Sequence, residues 1–269
     1  MIVMRNMKSK TEDSQVLQGL RDYWNERSES YSRQNVEEMN CWRKMAWRDL
    51  ILENVPDWQG IISVLDVGTG PGFFAMNLAQ AGCQVSAVDM TREMLALAEK
   101  NARDYDVAVD FRLYDGKYLP FDDDSFDLVV SRNVLWNVEE PVLALQEWKR
   151  VLKAGGRMVY FDANWYLYLK DEETRKAHEE AHRRLHELYP DYVHDPLGEQ
   201  RARDLEELAL SLPLTGEKRP AWDKKQLEAL GMHIVRINPD ISEQVFDEAE
   251  KIHYAASPVF MVYAEKPGR

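Results

Sequence analysis

The stretch over residues 61–78, IISVLDVGTGPGFFAMNL, constrains this chain more than any other. Ile61, Ile62, Val64, Leu65 and Val67 form a short, β-branched and nearly continuous apolar run. Such a run suits a strand covered on both faces of a parallel sheet. Asp66 stands near its carboxyl end. Gly68, Gly70 and Gly72 follow at alternate positions, so the backbone can turn sharply and approach a ligand without a Cβ in the way. Pro71 suits an early helical turn. Phe73, Phe74, Met76, Leu78 and Ala79 then supply the apolar surface of a helix packing back on the sheet. The arrangement predicts a nucleoside-type cofactor on the turn.

The neighbours of the turn narrow that cofactor. A dinucleotide fingerprint carries glycine at the sixth position of G-x-G-x-x-G; counting from Gly68, that position is Phe73. The Gly-Lys-Ser/Thr ending of a phosphate-cradling loop is missing too. With its acid before the turn, D-V-G-T-G-P-G instead resembles motif I of the class I S-adenosylmethionine (SAM) dependent methyltransferases. That cofactor has no phosphate, so the resemblance implies no basic residue here.

The next segments extend the pattern. QVSAVD, residues 84–89, reads as a second strand, followed by a helix over 91–102 with Met94, Leu95, Ala98 and Ala102 on one face. Asp89, 19 residues beyond Gly70, is placed to accept from both ribose hydroxyls, and Met90 can lie against the adenine face. A third strand, near 107–113, leads into YDGKYLPFDDDSFDLVVSRN. Its Asp115 and Gly116, then Leu-Pro-Phe, then Ser-Phe-Asp resemble the adenine loop of the same family. The resemblance implies that Asp115 accepts the adenine amino hydrogen and that the N–H of Gly116 or a neighbour meets a ring nitrogen. The adjacent acids Asp122, Asp123 and Asp124 read as a solvated turn.

Ser131, Arg132 and Asn133 end the fourth strand, where open α/β sheets bind ligands. In the family this loop faces the methyl group. The sequence reads Asn133, Val134, Leu135, Trp136, without the two prolines of nucleic-acid and some protein amine methyltransferases. Trp136 and Asn137 stand where many small-molecule members have histidine. A helix from Pro141, with Val142, Leu145, Trp148 and Leu152 inward, stops at Gly155 and Gly156, and a fifth strand covers 157–162. EWKRVLKAGGR also resembles the family, so the likeness runs over residues 61–162.

The resemblance implies a Rossmann-like α/β fold: a seven-stranded, mostly parallel sheet with helices on both faces and an antiparallel last strand. The core spans 57–162 and resumes at 222–269, with a helical insertion over 239–256 in which Phe246, Ala249 and Ile252 face inward. Residues 1–56 form a helical N-terminal extension, in which Trp24 and Tyr31 either pack on the core or cover the site. Residues 163–221 form a helical lid inserted after strand five, with a helix over about 171–189. Ala177, Ala181, Leu185 and Leu188 make its apolar stripe, and His178, His182 and His186 make a polar stripe beside it. At about 1.5 Å per residue the outer two histidines are about 12 Å apart, too far for one metal ion; a two-histidine site would draw on His194 or Asp195, and no metal is expected. Trp24, Trp136, Asn164, Trp165 and Tyr166 are the candidate substrate contacts, with Tyr168 expected close to them.

Composition supplies the exclusions. A formal charge of −13 disfavours broad contact with nucleic acid or a membrane surface. Two cysteines, Cys41 and Cys83, suggest neither a disulfide framework nor a cysteine zinc site, and so a reducing, cytoplasmic setting. The N-terminal MIVMRNMKSK has no apolar region of the signal-peptide kind. The expected function is methyl transfer from SAM to a nitrogen, oxygen or carbon of a small molecule. Tyr31, Asp162 or a lid histidine would serve as base where one is needed. A noncatalytic SAM-binding regulator and an NAD-type oxidoreductase are the alternative readings.

Overall fold

The computed structural model describes residues 14–53, 55, 60–193 and 197–268. The N-terminal segment, His194 and Asp195 lie outside them. Two helices, α1 (Gln15–Met39) and α2 (Arg43–Leu52), precede the sheet. Ser14 caps α1 by accepting from Leu17 N at 3.0 Å.

Seven strands follow: β1 (Ser63–Val67), β2 (Gln84–Asp89), β3 (Val109–Leu113), β4 (Phe126–Arg132), β5 (Leu152–Asp162), β6 (His233–Asn238) and β7 (Phe260–Glu265). Their order in the sheet is β3-β2-β1-β4-β5-β7-β6. The first five pair in parallel, and β7 lies antiparallel to both β5 and β6. The strand order reverses between β1 and β4, which opens a crevice at their carboxyl ends. Val64, Leu65, Leu128, Val129 and Val130 have no exposed surface, because helices cover both faces of the central strands.

One face carries α3 (Phe73–Gln80) with α2, and the other α5 (Pro141–Val151) and α8 (Ala221–Ala229). On α4 (Arg92–Asp104) the expected face of Met94, Leu95, Ala98 and Ala102 is the buried one. Between β5 and α8 the chain adds α6 (Glu172–Leu188) and α7 (Glu199–Leu210).

Four expectations are corrected. Helix α5 stops at Val151 and β5 begins at Leu152, so Gly155 and Gly156 lie within a strand. There, Phe126 to Leu128 of β4 pairs with Leu152 to Arg157 of β5, and the surplus residues loop out; Gly155 takes φ +75° and a Cβ on Gly156 would meet Lys153 O at 2.8 Å. Val142 is exposed rather than inward. On α6 the buried positions are Ala181 and Leu185, with Ala177 and Leu188 exposed and His178 and His182 partly covered. The helix is therefore rotated to turn His178 and His182 inward, while His186 stays exposed. The 239–256 insertion holds two short helices, α9 (Ser242–Val245) and α10 (Glu248–His253), whose buried anchors are Val245 and His253, while Phe246, Ala249 and Ile252, expected inward, are half-buried and Phe246 packs on the core.

Candidate active site

The glycine turn is held from three sides. The N–H groups of Gly68 and Thr69 both donate to Val88 O, at 2.9 and 3.0 Å, which ties the turn to β2. Gly68 has φ +68°, and a Cβ there would lie 2.2 Å from Val134. Gly70, at φ +53°, runs beneath the Tyr31 ring. Gly72, at φ +96°, allows α3 to start against Ala98 of α4 and is not on the cavity wall.

Asp66 is buried inside the turn. One carboxylate oxygen accepts from Thr69 Oγ1 at 2.7 Å and from Ala75 N at 3.1 Å, capping the first turn of α3. Burial pushes its carboxyl up to about 7, against those two hydrogen bonds and Arg132. Asp89 reaches the wall and also accepts from Gly70 N at 2.9 Å through Oδ2 and from Thr91 through Oδ1. Burial raises its carboxyl, with the Thr91 and Gly70 bonds pulling the other way.

At the carboxyl ends of the strands lies a cavity of about 1310 Å³, larger than a typical single-ligand pocket. Met90, Tyr114 and Gly116 line one lobe beside Asp89. Asp115 is exposed and off the wall. Its Oδ1 accepts from the N–H groups of Lys117 and Tyr118, both at 2.8 Å, and shapes the loop from behind. Asn133 lies on the wall at φ +59°, and its buried Oδ1 accepts no hydrogen bond among the described residues.

The other lobe is aromatic. Trp24, Tyr31, Trp136, Trp165 and Tyr166 all line it. Trp24 and Tyr31 sit 5.8 Å apart, and Trp136 and Tyr166 5.1 Å. The lid contributes Tyr168, stacked on His178 at 3.9 Å, and His182, and α10 of the later insertion adds His253. Burial, then His186, lowers the pKa of His182, with Glu206 opposing. Among the described residues each lysine or arginine of the wall already has a partner. Arg132 meets Glu38 at 2.6 Å, Arg43 meets Glu250 at 2.6 Å and Lys117 meets Glu140 at 2.9 Å. Arg203 pairs with Glu199, and Arg27 donates to Ser30 and Gln34.

Besides Asp66, Gly72 and Asp115, Asp162 and Asn164 also lie behind the wall. Asp162 is fully buried and both its oxygens are occupied, a geometry closed to proton transfer with a ligand. Asn164 turns from the cavity to bond the backbone of Arg219, accepting from its N–H and donating to its C=O.

Residues 65–160 match the family model described as a methyltransferase domain. Over these residues the chain is similar to that methyltransferase family. A demethylmenaquinone methyltransferase from Renibacterium salmoninarum is 40% identical over 113 residues, 42% of this chain and 46% of that protein. One from Tropheryma whipplei is 28% identical over 235 residues, 82% of this chain and 92% of that protein. The chain spans less than half the length of the first two curated relatives it matches. Among solved structures, Haemonchus contortus phosphoethanolamine N-methyltransferase 2, with phosphomonomethylethanolamine and S-adenosylhomocysteine, aligns with a TM-score of 0.60 at 17% identity. That alignment covers 92% of this chain and 60% of that one. A chain of a methyltransferase–activator complex from Haloferax volcanii aligns with a TM-score of 0.60 at 20% identity, covering 93% and 98%. These structures share the fold.

The methyltransferase domain's donors and acceptors fit SAM, the cofactor of such domains. A buried carboxylate ends β2, a glycine turn lets backbone approach, and the unpartnered Asn133 Oδ1 suits a cationic or N–H group. Phe73, in the place of a dinucleotide glycine, is buried with its ring 4.6 Å from the Arg132 guanidinium. Glu38 and His253 were not singled out from the sequence, whereas Tyr168 was expected nearest the substrate with Trp165 and Tyr166 and does line the cavity. An arginine ending an apolar strand was the one visible signal for Arg132.

Proposed function

We propose that this chain transfers a methyl group from SAM to an uncharged, hydroxylated aromatic ring of the hydroquinone type. The observation that carries the acceptor class is the lid lobe, an aromatic and imidazole wall whose lysines and arginines already have partners. A phosphate ester or carboxylate would find no ready cation there, whereas a planar ring gains stacking and burial. The names of the curated relatives support the same class.

Asp89 would accept from the ribose hydroxyls, with Met90 against the adenine and Gly116 beside it. The backbone at Gly68 and Gly70 would pass close to the cofactor's amino-acid end, with Asn133 Oδ1 accepting from it. Asp66, Gly72 and Asp115 would act from behind, by holding the turn and the adenine loop. When bound, SAM supplies an electrophilic methyl on a sulfonium. Trp24, Trp136, Trp165 and Tyr166 would hold the acceptor ring, and Tyr31, lying over Gly70, would keep water from the transfer path. The ring's oxygen or adjoining carbon would take the methyl and would shed its proton to an imidazole nitrogen of His182, whose neutral form burial favours. A reducing, cytoplasmic setting is proposed with this reading, supported by the two free cysteines; no helix of the described residues is long and apolar enough to cross a membrane.

The test is incubation of purified protein with SAM and a short-chain demethylmenaquinol, with phosphoethanolamine in parallel, followed by mass spectrometry. S-adenosylhomocysteine together with a quinol heavier by one methylene supports the proposal. Methylation of phosphoethanolamine alone would overturn the acceptor class.

A further inference from the structure

Behind the aromatic lobe lies a buried charged cluster that touches no part of the cavity. Asp162 ends β5, Arg219 ends the lid segment and Asp223 lies in α8; their side chains are at most 1% exposed. Arg219 Nη1 donates to Asp162 Oδ2 at 2.6 Å. Its Nε and Nη2 grip Asp223 at 2.9 and 2.7 Å, Tyr160 Oη donates to Asp223 Oδ1 at 2.8 Å, and the guanidinium lies 4.9 Å from the Phe260 ring centre.

Asp162 receives three further donors. Trp136 N reaches Oδ2 at 3.0 Å, while Ala163 N and Trp165 Nε1 reach Oδ1 at 2.9 and 3.0 Å. All four partners are donors and none can accept, so a proton on this carboxyl would have no partner and the ionised form is the one the geometry holds. The net charge of two carboxylates and one guanidinium is compensated by these oriented N–H groups. The Asn164 amide bonds both the N–H and the C=O of Arg219, at 3.1 and 2.9 Å, which closes the two ends of the lid segment on each other.

We infer that Asp162 and Arg219 are positioning residues of the acceptor lobe: one carboxylate fixes Trp136 through its backbone and Trp165 through its indole N–H, while its arginine partner anchors the far end of the lid. This rests on the reading of that lobe as the acceptor site. The pair acts at a distance from the reacting atoms, so its loss should spread the acceptor's orientations and leave the cofactor lobe intact. Alanine at either position would strand a buried charge, so the informative change is the isosteric Asp162→Asn, whose amide must turn an N–H toward donors.

The experiment compares wild type, Asp162→Asn and Trp165→Phe, the last of which removes one donor and keeps an aromatic ring. Three readouts are taken: S-adenosylhomocysteine affinity by calorimetry, amide hydrogen exchange, and KM against kcat for short-chain demethylmenaquinol. In Asp162→Asn, exchange around residues 134–137 and 163–167 should rise by about tenfold or more. S-adenosylhomocysteine affinity should hold within about twofold, and acceptor KM should rise more than kcat falls. Trp165→Phe should show the same pattern at smaller size, and it carries the test if Asp162→Asn does not fold. Unchanged exchange in both segments, or equal loss of S-adenosylhomocysteine affinity, would overturn the inference. If demethylmenaquinol is not turned over, the acceptor reading fails while exchange and cofactor affinity still decide the role of the pair.

Discussion

Asp89 does two jobs at one carboxylate. It faces the cavity from the end of β2, and it also holds the Gly70 N–H, so a change there reaches both ligand and turn. Asp89→Ala is expected to weaken SAM binding by about 1 to 3 kcal/mol, the usual cost of losing hydrogen bonds to a charged acceptor. Calorimetry on the folded variant measures it, and unchanged affinity would place the ribose elsewhere. This position was readable from sequence because its spacing from the glycine turn is set by one βαβ unit. Asp162 was not: its place at a strand end marked it as important, but only the fold brings Arg219, from 57 residues later, against it. Asn164 misled in the same way, since a polar residue at the lid's entrance can face the substrate or, as here, clasp the opposite end.

At the scale of elements, Asp66 joins β1 to the first turn of α3 and does so without contact with the large cavity. Its carboxyl, raised from 3.8 to about 7 mainly by burial, is protonated in the folded chain over a range in which the unfolded chain is ionised. The folded state therefore binds the extra proton, and this group's contribution to stability falls as pH rises from about 4 to about 7, by up to about 1.4 kcal/mol per pH unit. Asp66→Asn keeps the acceptor oxygen and has no proton to lose. Urea unfolding at pH 5 and pH 8 should show the variant gaining on wild type at the higher pH, and a pH-independent difference would contradict the assignment. Elements with regular patterns, such as the buried face of α4, were legible in the sequence. The histidine side of α6 was not, because its amphipathic period leaves the facing angle open, and cavity-facing histidines look like solvent-facing ones. The end of α5 was placed late because Gly155 and Gly156 read as a helix stop, whereas they relieve a bulge in β5.

For the whole molecule, the switch in strand order between β1 and β4 sets where a ligand can bind. The N-terminal helices and the lid close over that crevice from opposite sides of the chain. The sequence carried the sheet, the glycine turn and the place of Asp89 because they depend on short-range spacing. It said less about the aromatic wall of the cavity, which gathers Tyr31, Trp136, Tyr168, His182 and His253 from five separate elements and loops. In the proposed function the glycine turn, Asp89 and the loop at Gly116 serve SAM and not a dinucleotide. Calorimetric titration of the purified chain with SAM and, separately, with NAD tests it most directly. One SAM is expected to bind saturably per chain, with no heat from NAD at the same concentrations; saturable NAD binding with no response to SAM would overturn the SAM reading.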